Sequence, residues 1–98
     1  MAIRAVFGPN SVMERVAYCE SGMSQFDANG NVITSKTADY GTFQINQIHM
    51  KEAADMGLDI DTLAGNVLFA KYLYDKNGIR DWLPSRACLD RYYVRHES

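Results

Sequence analysis

Residues 61–78 constrain this chain most. Leu63, Val67, Ala70, Leu73 and Tyr74 recur at three- and four-residue spacings, the period of a helix with one apolar face. Asp61 or Thr62 supplies the start and Gly78 the stop. A 98-residue chain buries only a little over roughly 60% of its unfolded surface. A helix this apolar is therefore expected to be the central core element.

The other elements are shorter and end in recognisable signals. Ser11-Val12-Met13-Glu14 is a capping box, entered through Pro9 and Asn10 and closed by Gly22. Its apolar positions are Val12, Met13, Val16, Ala17 and Cys19. Asp27-Ala28-Asn29-Gly30-Asn31 is turn chemistry, with Asn-Gly a strong hairpin signal. Residues 32–34 and 40–45 are predicted as short strands around a polar loop at 35–39. Asn46 is predicted to cap a short helix over 48–56, closed by Gly57. Trp82-Leu83-Pro84-Ser85 reads as a structured turn and 89–94 as a last short helix, with a frayed tail at His96-Glu97-Ser98. The expectation is a single domain over 1–98, mostly α (α+β), with one short β-hairpin.

Composition removes several function classes. Apolar residues make up 47% and charged residues 22%, the profile of an ordinary globule. A net charge of −2 supplies no basic footprint for nucleic acid. No apolar run reaches the roughly 18 residues of a membrane span. The opening, from Met1 to Gly8, is too short an apolar stub for the hydrophobic region of an export signal. A removed signal, phage-driven lysis and virion packaging all remain open as routes outward. A monomer is expected.

Two cysteines, Cys19 and Cys88, lie near opposite ends of the chain. They allow two buried thiols, a disulfide closing about 70 residues and adding roughly 4 kcal/mol, or a zinc site completed by His49 or His96. No Cys-x-x-Cys or His-x-x-x-His spacing supports the metal, and neither a metal nor a cofactor is expected.

Glu20 is the residue with the most chemistry available to it. It falls in the last turn of the helix that starts after Ser11. There the negative end of the helix dipole and apolar neighbours both push a carboxyl pKa upward, as a general acid requires. Asp39 enters the segment Tyr40-Gly41-Thr42-Phe43-Gln44-Ile45-Asn46 and is placed to face the same groove. Two carboxylates across a cleft are the usual equipment for cleaving a glycosidic bond, about 5–5.5 Å apart for retention and about 6.5–9.5 Å for inversion. Gly41 is predicted to let the backbone approach a sugar. Gln44 and Asn46, read as alternate positions on one strand face, would offer it donors and acceptors. Tyr40, Tyr72, Tyr74 and Trp82 are candidates for stacking, although Tyr72 and Tyr74 cannot face the same way on one helix. Ser21 with His49 as a hydrolase pair lacks any nucleophile-elbow context.

Ala17-Tyr18-Cys19-Glu20-Ser21-Gly22 and Tyr40-Gly41-Thr42-Phe43-Gln44-Ile45-Asn46 together resemble the two signature motifs of the lysozyme-like superfamily. They are most similar to the transglycosylase domains of soluble lytic transglycosylases. Residues 65–74 resemble the following core helix, and Asp81-Trp82-Leu83-Pro84-Ser85 the turn before Cys88. The resemblance implies a lysozyme-like fold that binds a peptidoglycan glycan strand. Glu20 would be the acid/base at the bond between N-acetylmuramic acid and N-acetylglucosamine, and Ser21, Tyr40, Gln44, Asn46 and Tyr72 would contact the sugar. It implies a Cys19–Cys88 bridge and a periplasmic, extracellular or phage-delivered location. Asp39-Tyr40-Gly41 also resembles the segment that carries the second carboxylate of animal-type lysozymes. Arg86-Ala87-Cys88 stands where many lytic transglycosylases have Ala-Tyr-Asn. Hydrolysis with Asp39 is accordingly the alternative to a 1,6-anhydro product, and a glycan-binding or structural module the non-enzymatic one.

Overall fold

The hydroxyl of Thr62 accepts a hydrogen bond from the Gly65 amide and opens the central helix, α4 (Leu63–Asn77). The computed structural model describes the backbone of residues 2–97 and the side chains of 3–91. The helix α4 stops at Gly78, whose φ of 65° and ψ of −138° lie in a region essentially confined to glycine. Val67, Ala70 and Leu73 are buried as the periodicity required, with Leu63 and Tyr74 packed at the margin. Phe69 and Asn66 are buried too, so α4 is enclosed on more than its apolar stripe.

Around α4 the chain places α1 (Ala2–Phe7), α2 (Val12–Ser21), β1 (Asp39–Tyr40), β2 (Ile45–Asn46), α3 (Met50–Asp55) and α5 (Arg86–Glu97). The architecture is mostly helical, with one antiparallel two-stranded hairpin. No helix among the described residues is long and apolar enough to cross a membrane.

The start of the chain departs from expectation. Residues read as an apolar stub form α1, whose Ile3 is completely buried. Arg4 pairs with Glu14 of α2, and the Phe7 ring meets Phe43 and Tyr74 edge-on at 5.6 and 6.1 Å. A helix of 6 residues is too short to hold itself in water, so packing rather than propensity makes it. Helix α2 follows its signals. Ser11 caps the Glu14 amide at 3.1 Å, and the amides of Gly22 and Met23 close the other end on Tyr18 and Ala17.

The β region also differs. The predicted strand over 40–45 is broken by a reversal, because Gly41 and Gln44 have φ of 75° and 50°. The pairing is instead Asp39 with Asn46 and Tyr40 with Ile45. Residues 32–34 supply two isolated bridges, Val32 to Phe26 and Thr34 to Tyr40, rather than a strand. Phe43 explains the reversal. Its ring is completely buried, and its carbonyl accepts the indole N–H of Trp82 at 2.9 Å. Tertiary contacts pull the middle of the segment inward and leave its ends to pair.

Asn46 caps as expected, accepting from the Ile48 amide at 3.0 Å. The helix it opens begins as a 3-10 turn over Gln47–His49 before α3. The Trp82 turn is a 3-10 helix over Arg80–Ser85, and it leads into α5, which is longer than residues 89–94. Of the tail expected to fray, His96 and Glu97 continue α5, and Ser98 lies outside the described residues. Cys19 and Cys88 form a disulfide with Cα atoms 5.9 Å apart, which joins α2 to α5 and overturns the free-thiol and zinc readings. The ring of His49 packs against Phe69, and the side chain of His96 lies outside the described residues.

Candidate functional site

A buried polar junction fixes the reversal between β1 and β2. The carbonyl oxygen of the Gln25 side chain accepts from the amide and hydroxyl of Thr42 at 2.9 and 2.8 Å, and its amide donates to the Ile60 carbonyl. The side-chain oxygen of Asn66 accepts from the Phe43 amide at 2.9 Å, while its nitrogen donates to the carbonyls of Tyr40 and Ile60. Gln25, Thr42 and Asn66 are all buried, and every bond except that of the Thr42 hydroxyl serves backbone that would otherwise be desolvated and unpaired. Gly41 lies against the same junction. A Cβ there would sit 2.5 Å from the Gln25 amide and 2.6 Å from that of Asn66. Its close approach is therefore to these two side chains, where the sequence suggested a sugar.

Held this way, β1 forms one wall of an open groove of about 510 Å³, and the end of α2 forms another. Among the described residues, three carboxylates line it, Glu20, Asp39 and Asp81, with Ser35, Thr37 and Gln44 adding polar surface. Trp82, Pro84 and the Cys19 half of the disulfide complete the walls. Among the described residues, no lysine, arginine or histidine lines this groove.

The two principal carboxyls are treated oppositely. Burial raises the pKa of Glu20 above its ordinary value, the Ser85 hydroxyl pulls it back in part, and the charge of Asp39 raises it further. Ser85 Oγ donates to Glu20 Oε1 at 2.6 Å. For Asp39 burial also pushes upward, but three hydrogen bonds outweigh it and hold the carboxyl below its ordinary value. Thr37 and Ser35 donate to Oδ2 and the Asn46 amide to Oδ1. Near neutral pH Asp39 is therefore ionised, while Glu20 keeps its proton to a higher pH than a solvated glutamate.

The structure brings Glu20, Asp39 and Gln44 to one groove. Asn46 stands behind Asp39, bonding its carboxylate and the Thr37 carbonyl. Gln44 sits in the reversal rather than on a strand face with Asn46, and its amide donates to the Gly41 carbonyl at 3.0 Å. Tyr40 packs at the core margin. The Ser21 hydroxyl donates to the Thr42 carbonyl at 2.7 Å, pinning the end of α2 to the reversal. Tyr72 does not line the groove. It donates to Glu52 of α3 at 3.0 Å and packs on Phe69.

Sequence reasoning passed over five residues here. Ser35 and Thr37 were legible, since hydroxyls four and two residues before an aspartate are local-turn chemistry. Asn66 also left a trace, an amide among apolar neighbours of a core helix, which must find partners if buried. Gln25 and Ser85 left none.

No protein-family model matches the chain, and no solved structure matches it. Over 55 residues it is 40% identical to Protein IpgF of Shigella sonnei. The match covers 56% of this chain and 35% of Protein IpgF, so the chain spans about a third of that relative.

Proposed function

We propose that this domain cleaves peptidoglycan at the β-1,4 bond between N-acetylmuramic acid and N-acetylglucosamine, on a lysozyme-like fold. The observation that carries the reading is the pair of carboxyls in one groove, Glu20 held above the ordinary range and Asp39 below it. Environments that push two carboxyls apart in this way suit one to give a proton and the other to stay charged.

The protonated Glu20 carboxyl gives its proton to the glycosidic oxygen as the bond from C1 breaks. Positive charge grows on the sugar ring, and the ionised Asp39 carboxylate offsets it. Glu20, now a carboxylate, takes a proton from the muramoyl 6-hydroxyl as that oxygen closes on C1. The products are a 1,6-anhydro-muramoyl end and a free N-acetylglucosamine 4-hydroxyl, the outcome of a lytic transglycosylase. If water replaces the 6-hydroxyl, a reducing end forms and the enzyme is a lysozyme. The three hydrogen bonds that keep Asp39 ionised favour this second outcome, since a persistent counter-charge prolongs the cationic intermediate. A groove with no cationic side chain among the described residues suits a largely uncharged glycan backbone, and the disulfide suits an oxidising periplasmic or extracellular setting.

Incubation with purified peptidoglycan, followed by mass spectrometry of the fragments, tests the reading. Anhydro-muropeptides, lighter by one water than hydrolytic products, mark the transglycosylase, and reducing ends mark the lysozyme. Binding without any product would sink the enzymatic reading in favour of a glycan-binding module. Glu20→Gln should abolish turnover with the fold intact, and normal turnover by that variant would remove Glu20 from the mechanism.

A further inference from the structure

Ser85 reaches Glu20 across a sequence separation of 65 residues, and its hydroxyl lies 2.6 Å from one carboxyl oxygen. It does not line the groove. It stands behind the carboxyl, on the turn that ends where α5 begins, three residues before Cys88. The Cys19–Cys88 disulfide thus joins the immediate neighbour of Glu20 to the first turn of α5. Two short links, one covalent and one a hydrogen bond, connect the same two stretches of chain.

We propose that Ser85 is a positioning residue for Glu20, occupying Oε1 so that the transferable proton resides on Oε2. This rests on the acid/base role given to Glu20 above. A hydroxyl donor cannot share its oxygen comfortably with a carboxyl proton, so the proton goes to the other oxygen. Once the proton has left, the same hydrogen bond steadies the carboxylate for its second role as base. Among the described residues, the charged groups sharing the groove are Asp39 on β1 and Asp81 on the Trp82 turn. Asp39 opposes ionisation of Glu20, whereas Ser85 favours the charged form. Asp81 is itself held by the Asn77 amide at 3.1 Å.

The test has two arms on the intact, disulfide-bonded chain. The first follows the Glu20 carboxyl carbon by NMR through a pH titration in wild type, Ser85→Ala and Ser85→Thr. Ser85→Ala should titrate at higher pH than wild type, and Ser85→Thr should return towards it. The second measures turnover on soluble glycan strands. Ser85→Ala should lower kcat by about 10- to 100-fold, as misplacement of a reacting group by about an ångström does. KM should stay within about two-fold, the basic limb of the pH profile should move to higher pH, and Ser85→Thr should restore most of the rate. An unchanged Glu20 titration overturns the proposal, and so does a shifted titration with unchanged kcat. If wild type proves inactive, the functional reading fails by itself. The titration arm then still decides whether Ser85 holds the carboxylate.

Discussion

Replacing Asn66 with alanine should be among the most damaging single changes available to this protein. Its oxygen is the acceptor for the Phe43 amide, and its nitrogen serves the Tyr40 and Ile60 carbonyls. Leaving a buried amide unpaired costs about 1–3 kcal/mol, and each of the other two lost bonds about 1 kcal/mol. The sum is about 3–5 kcal/mol, against a total of about 5–15 kcal/mol for a domain of this kind. In thermal unfolding with the disulfide intact, the midpoint should fall by at least about 12 °C. Asn66→Asp is the sharper probe because it keeps the shape and the acceptor. A second oxygen would then face two carbonyls, which pushes the introduced carboxyl pKa up. A group whose folded pKa is raised contributes stability below its unfolded pKa and loses it as pH rises through the folded value. The variant should therefore be nearer to wild type at about pH 4 than at about pH 8. An alanine variant that loses less than about 1 kcal/mol, or an aspartate variant indifferent to pH, would refute the account of the junction.

Three further outcomes follow from the same geometry. Asp39, with its pKa lowered in the fold, contributes stability above its unfolded pKa that is lost as pH falls through the folded value. Urea midpoints measured downward from neutral pH should thus fall more steeply for wild type than for Asp39→Asn. Gly65→Ala should destabilise by more than about 2 kcal/mol, although glycine to alanine normally favours a helix by about 1 kcal/mol. A Cβ there would lie 1.9 Å from the Asp59 carbonyl oxygen, and equal or greater stability in urea would show that this contact relaxes freely. The double variant Cys19→Ser with Cys88→Ser, which opens a loop with a sequence separation of 69, should lose roughly 4 kcal/mol in urea unfolding. Two free thiols in unreduced, denatured wild type would contradict the crosslink directly.

The sequence disclosed those parts of the molecule that are determined locally. Ser11, Gly22, Asn46, Thr62 and Gly78 all end or begin helices as their chemistry predicts, because a cap acts within four residues. The direction of the Glu20 shift was expected too, but its causes are burial and the charge of Asp39, and only the burial was anticipated from apolar neighbours. What the sequence concealed was set by partners far along the chain. Residues 40–45 have strand-like composition, yet the amide of Asn66 and the indole of Trp82 turn Phe43 into the core. The helix α1 depends on a surface created by α2, α4 and Phe43. Local pattern cannot register a partner 23 or 39 residues away, and the same limitation hid Gln25 in the buried junction and Ser85 behind Glu20.

The contact between Ser85 and Glu20 has a bearing on the order in which the molecule is completed. A nascent polypeptide carries Glu20 and Asp39 before residues 82–88 are made. Trp82, which anchors Phe43, and Ser85 and Cys88, which secure the end of α2, come from that later stretch. Until that stretch is made, the groove lacks one wall, and Glu20 lacks its hydrogen bond. A product ending before residue 80 would carry both carboxyls but neither the Trp82 anchor nor the Ser85 and Cys88 links, so the groove is complete only once residues 82–88 are in place.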